Sequence, residues 1–203
     1  MLLMKHPRRP PADDRTLERL VRAALRGEDD NCAAHYVLTG LGAEVFGFVV
    51  AVLDDQEAAR LVYERIARRV ARDVSELHRS RSLRVWIYGV VREELAQRRA
   101  RLGSTAQWAA GLSSDIAISS LSQAERIESL RRQLNEEDRE LLILRVDRRF
   151  EWDDVGRITV GEGASLADVA LRTKQLQWRL AGIVRRLELA MRRRGSAPPR
   201  WTG

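Results

Sequence analysis

The residues of this chain best suited to chemistry are arginines set around an aromatic pair. Residues 81–99 read RSLRVWIYGVVREELAQRR. Wound as a helix at about 100° per residue, this run divides into two faces. Leu83, Trp86, Ile87, Val90 and Val91 share one, and Arg84, Tyr88, Arg92 and Arg99 fall on the other. Arginines can hold phosphates, and an aromatic ring among them can stack on an unpaired base, so the second face suits single-stranded nucleic acid. The plainer alternative is a solvated face on which Tyr88 covers the edge of a core.

A second basic group lies near the end of the sequence. Net charge is +7 over 203 residues, with a pI near 10.5. The stretch from Ser165 onward carries nine Arg/Lys and two Asp/Glu, so it holds the whole excess and the rest is neutral. A basic stripe along one helix is the electrostatic footprint of a polyanion partner. A solubilising tail is the alternative for RRRGSAPPR at 192–200.

Other chemistries find little support. Cys32 and His35 could form half a zinc site, but there is no second pair. The acids at 136–138 and at Asp153–Asp154 sit at expected helix starts, where they favour the helix dipole. There is no glycine-rich phosphate loop and no Ser/His/Asp grouping. The expectation is a protein that is not an enzyme and uses no metal or cofactor. A single cysteine excludes an internal disulfide and fits a reducing cytosol. No uninterrupted apolar run reaches about 18 residues, so no membrane span is expected. The start, MLLMKHPRRPP, lacks the apolar core of a signal peptide. These features point to a cytoplasmic protein.

Helices must position the two basic groups. Asp14–Arg26 suits a short helix, and a longer one runs from about Ala33 to Leu53, although its FGFVVAVL could be a strand by propensity. The run from Asp54 begins with acids suited to a helix start, and Leu61, Val62, Ile66, Val70 and Val74 form an apolar stripe. Residues 102–122 are rich in Ser, Ala and Gly and read as a linker. Gln123–Leu134, Glu136–Asp147 and Trp152–Ile158 follow as helices. After two glycines, Ser165 and Asp168 make a capping box for an amphipathic stretch to about Arg193. Its packing stripe is Val169, Leu176, Leu180, Ile183, Leu187 and Met191, and Trp178 packs or touches a nucleic-acid backbone, with packing the expectation. The fold class is therefore all-α, as two small helical domains on a flexible linker. The divisions are 1–29 extension, 30–101 first domain, 102–122 linker, 123–194 second domain with a helix-turn-helix, and 195–203 tail.

Two stretches resemble the extracytoplasmic-function group of bacterial RNA polymerase sigma factors. LNEEDRELLILRVDRRFEWDDVGRI (134–158) is similar to the start of that family's last domain. Leu134, Glu136, Glu137, Arg139, Glu140 and Leu141–Leu144 follow its order, and Phe150, Trp152, Asp153, Asp154 and Val155 follow its aromatic-acidic signature. Asn135 stands where the family commonly has Pro. Leu83, Arg84, Val85, Trp86, Ile87, Tyr88 and Arg92 resemble a run in the family's first domain, and 53–70 resembles its polymerase-binding helix. Glu64 matches there, while Arg60 and Tyr63 replace an acid and a Gln.

The resemblance implies a sigma factor that binds core RNA polymerase, directs promoter recognition and helps to open the DNA. It implies that Glu57, Arg60, Leu61, Glu64 and Arg68 meet the polymerase. Arg84, Tyr88, Arg92, Arg98 and Arg99 would meet the downstream (−10) element. Arg172, Lys174, Gln175, Gln177 and Arg179 would meet the upstream (−35) element, since Arg and Lys pair with guanine edges and Gln with adenine. The recognition helix could begin at Ser165, or its reading face could centre on Lys174–Arg179. Promoter DNA and core polymerase are the expected partners, with an anti-sigma protein as a further one. The alternatives are a stand-alone helix-turn-helix regulator and a sigma-like helical protein acting through a protein partner.

Overall fold

Caps set most helix starts. Asp29 accepts the amide of Cys32 (2.8 Å), Asp55 those of Glu57 and Ala58 (both 3.0 Å), and Asn135 that of Asp138 (2.8 Å). Ser122 with Glu125, and Ser165 with Asp168, form reciprocal boxes. Asn135 can cap because its carbonyl reaches the third amide of the helix. A proline in its place would offer no such acceptor.

A computed structural model describes residues 14–80, 82–102, 122–161 and 163–193. The helices are α1 (Asp14–Arg26), α2 (Asp30–Leu53), α3 (Gln56–Asp73), α4 (Leu83–Leu102), α5 (Gln123–Arg132), α6 (Glu136–Leu142), α7 (Trp152–Val160) and α8 (Leu166–Arg193). A 3-10 turn (Val74–Arg79) extends α3, and a π-helical turn (Ile143–Asp147) extends α6. Among the described residues there is no strand, so the fold is all-helical and FGFVVAVL lies within α2. The linker expected at 102–122 falls almost wholly outside the described residues.

By length and composition α2 is the one described helix that could cross a membrane. Its Val37, Leu41, Val45, Phe48, Val49 and Val52 are each at most 4% exposed, which packs that face into the core. Its other side, with Thr39, Gly40, Ala43, Gly47 and Ala51, is exposed. Helices α1, α3, α4 and α6 all pack on α2.

One core, in place of the two expected, runs from Leu17 to Met191. The physical reason lies in α4. Besides the expected Leu83, Trp86, Ile87, Val90 and Val91, it buries Val85, Tyr88 and Leu95. Apolar side chains therefore surround its first turns. They are covered by α2 and α3 on one side and by α7 on the other. The boundary expected at residue 30 is not a packing boundary either, because α1 lies against α2 and buries Leu17, Val21 and Leu25.

The expectation that Tyr88 is a free, base-stacking ring is corrected: it is 1% exposed. Phe48 and Phe150 meet it edge-on, at centroid distances of 5.0 and 4.9 Å. Its hydroxyl donates to Glu44 Oε1 (2.8 Å), and burial raises its pKa well above the usual phenol value. Arg84 also pairs with Glu44, and Arg148 reaches the same carboxylate and the Glu44 carbonyl. Phe150 comes from beyond the linker, so this aromatic triple joins the two halves. Tyr88→Ala should destabilise the fold by about 3–5 kcal/mol, as for other large aromatic truncations. Tyr88→Phe should cost about 1.5–3 kcal/mol, through the lost bond to a charged acceptor. Urea denaturation followed by circular dichroism measures both, and a Tyr88→Ala protein as stable as the parent would remove the ring from the core.

Candidate nucleic-acid interface

The basic residues converge on the short helix α6. Its sequence EEDRE supplies four carboxylates within five residues. Glu136 and Glu140 lie one turn apart and face α4. Arg98 Nη1 donates to Glu136 Oε1 (2.8 Å), Arg92 Nη1 to Glu140 Oε1 (2.7 Å) and Arg99 Nη1 to Glu140 Oε2 (3.3 Å). Glu137 and Asp138 face α8. Arg179 donates to Asp138 Oδ1 (2.6 Å) and Glu137 Oε2 (2.8 Å), and Arg186 to Asp138 Oδ2 (2.6 Å). Arg179 holds the Glu137 carboxyl below the usual carboxylate range. The acids at 136–138 thus serve as counter-charges across the fold as well as at a helix start.

Arg139, between them, is 8% exposed. Its guanidinium donates to the carbonyls of Arg131, Arg132, Leu134 and Val52, closing the ends of α5 and α2. The last carbonyls of a helix lack the usual amide four residues on; that of Arg131 also accepts the Leu134 amide (3.1 Å). Burial lowers the pKa of Arg139 from the usual arginine value.

These contacts decide where the expected nucleic-acid residues stand. Arg84, Arg92, Arg98 and Arg99 do share one side of α4, but each is engaged by a carboxylate. Arg84 pairs with Glu44 and with Asp14 (2.9 Å), and its guanidinium lies 5.4 Å from the Phe150 ring centroid. The free stripe expected on this helix is therefore closed in this structure.

On α8 the expected packing stripe is observed, with Val169, Leu176, Ile183, Leu187 and Met191 buried and Leu180 partly so. Trp178 departs from expectation. At 81% exposure it stands in solvent, roughly in line with Leu171 (59%) and Leu189 (47%). Lys174, Gln175 and Gln177 are exposed, whereas Arg172 and Arg179 are partly covered. Arg172 donates to Gln175 (3.3 Å), and its pKa is lowered by burial and by neighbouring Arg92 and Arg179. Helix α8 starts at the Ser165 cap, five residues after α7 ends.

The α7–α8 crossing is close at Gly156. A methyl group there would meet Thr173 Oγ1 and lie 3.2 Å from Val169 Cγ1. The Thr173 hydroxyl donates to the Trp152 carbonyl (3.3 Å), which fixes it in the gap.

The expected polymerase surface on α3 is open. Glu57, Arg60, Glu64 and Arg68 form a ladder of ion pairs within their own helix. Leu61, which periodicity put in the buried stripe, is 48% exposed beside them. Among the described residues no group of three or more His, Cys, Asp or Glu is placed to hold a metal.

Sequence reasoning missed Glu44, Glu136, Glu140 and Phe150 as partners of the arginine stripe. One available signal was the neutrality of residues 1–164 despite their many arginines. Charge balance at that density points to pairing, but it does not name the pairs. No family model, curated protein or solved structure matches the chain.

Gly156→Ala should destabilise the protein by about 1–3 kcal/mol through overpacking. Thr173→Ala in the same chain should recover part of that loss by vacating the gap. A thermal-melt double-mutant cycle measures the coupling. Strict additivity would show that the two residues do not meet.

Proposed function

We propose that this protein is a sigma factor, which binds core RNA polymerase and directs promoter recognition and DNA opening. The reading carries with it a two-domain working form, with α7 and α8 as a helix-turn-helix for the upstream element. Ordered resemblance of two stretches to that family supports it. The single observation that carries it is the outer face of α8. Beyond a tightly crossed α7, a capped helix holds Lys174, Gln175 and Gln177 in solvent, opposite its packing stripe. A long recognition helix entering the major groove needs that arrangement. The open α3 ladder with Leu61 supplies a surface for polymerase.

A second reading is favoured by a different observation. Leu171, Trp178 and Leu189 lie exposed on α8, and the α4 arginines are already engaged. A sigma-like helical protein that acts through a protein partner would have both features. A stand-alone regulator of duplex DNA leaves the open α3 ladder without a role.

Run-off transcription with core polymerase over a genomic promoter library separates these readings. Only the sigma reading expects polymerase-dependent, promoter-specific transcripts. Leu61→Asp with Glu64→Arg should abolish co-purification with core polymerase while the helical circular-dichroism signal stays. Binding that survives this pair of changes would discard the α3 surface. Lys174→Ala should weaken promoter binding by about 1–3 kcal/mol if it reads a base. A phosphate contact would weaken binding to all sequences alike. Electrophoretic mobility shifts on matched and scrambled promoters make the distinction.

A further inference from the structure

The α4 arginines have two suitors of the same chemistry. Carboxylates and phosphates both accept paired, charge-assisted hydrogen bonds from guanidinium groups. In this structure α6 supplies the carboxylates. Glu136 and Glu140 lie on one face of that helix, as residues four apart do, and bind Arg98, Arg92 and Arg99. The three arginine side chains are only 20–22% exposed, and Glu140 is 1% exposed. A phosphate taking those same hydrogen bonds would have to displace α6.

The same closure is held elsewhere by contacts that also join the two sides of the linker. Arg132 Nε lies 3.5 Å from Asp54 Oδ1, Arg139 donates to the Val52 carbonyl (2.8 Å), and Phe150 seats on Tyr88. The acids of α6 that face α8 have their own partners, Arg179 and Arg186, on the same side of the linker as α6. Moving α6 away from α4 would therefore leave α8 neutralised as it is. It would free Arg92, Arg98 and Arg99 together as a basic stripe.

Resting on the proposed role of α4 in holding the opened strand, we infer that α6 is an internal phosphate mimic. Glu136 and Glu140 occupy the nucleic-acid seats of α4, and the closed form inhibits itself. Single-stranded nucleic acid and α6 bind the same three arginines in turn. Binding there requires the two sides to part.

The test uses the full chain and fluorescence anisotropy with a labelled single-stranded DNA of about 20 nucleotides. Glu136→Gln with Glu140→Gln removes the competing charges and keeps the side-chain shape. Affinity should rise on the order of tenfold, and the slope of log affinity against log salt should steepen by about two, for three added phosphate contacts. The same variant is then closed by force. Asp54→Cys and Arg132→Cys, in a Cys32→Ser background, are bridged by a bis-maleimide with an internal disulfide. The bridged protein should lose the gain, and reduction of the bridge should restore it. Where the double Gln variant loses its helical circular dichroism, Glu136→Gln alone replaces it, because Glu136 lies at the partly exposed rim. A Gln variant with no gain, a bridge without effect, or no binding by any form would each overturn the inference. Run-off transcription by the unmodified protein is read separately. Its failure removes the sigma reading, while the anisotropy response to charge and bridge still decides whether α6 masks α4.

Discussion

Helix α6 is held between α4 and α8 by the neutralisation of its carboxylates from two directions. A buried carboxylate is tolerated only when it is paired and hydrogen-bonded. Glu140, at 1% exposure, takes Arg92 and Arg99. Asp138, at 5%, takes Arg179 and Arg186. The four acids are consecutive apart from Arg139, so their spacing around one short helix forces α4 and α8 to opposite flanks of it. Arg139 then ties the ends of α5 and α2 to the same turn. Loss of both arginines from either acid would leave a buried charge alone, which is costlier than never having buried the pair.

A smaller node works in the same way around Glu44. Arg84, Arg148 and the Tyr88 hydroxyl all converge on its carboxylate, and Phe150 fills the space between Tyr88 and Arg84. The aromatic triple contributes apolar burial, and the carboxylate gives the buried hydroxyl an acceptor. Both nodes draw partners from each side of the linker, so electrostatics and packing favour the same closed arrangement.

What remains open is informative because so much is closed. The α3 ladder satisfies its charges locally, so exposure costs it little and a partner can meet it without breaking distant contacts. On α8, Lys174 and Gln177 stay in solvent while Arg179 is drawn into the α6 network. The basic excess after Ser165 is thus only partly available in this form. Trp178, Leu171 and Leu189 add an exposed apolar line that the buried stripe on the other face does not explain.

The sequence by itself determined the local structure. Caps at Asp29, Asp55, Ser122, Asn135 and Ser165 are short-range hydrogen bonds, and helical periodicity is a property of neighbours three and four apart. The buried faces of α4 and α8 were accordingly legible for most of their length. So was the exposed ladder on α3, apart from Leu61, whose place at the edge of its stripe periodicity could not resolve. The candidate site was legible as residue types: arginines on one face of α4, and Lys174 with two glutamines on α8. Only the tertiary structure decided their state. Whether Tyr88 stacks in solvent or in the core depends on Phe48 and Phe150, 40 and 62 positions away. Whether an arginine is free depends on a carboxylate brought from a distant segment, as Glu140 is brought to Arg92. Charge and hydrophobicity are written in the residue, but a partner is fixed only when the chain brings remote positions within a few ångströms.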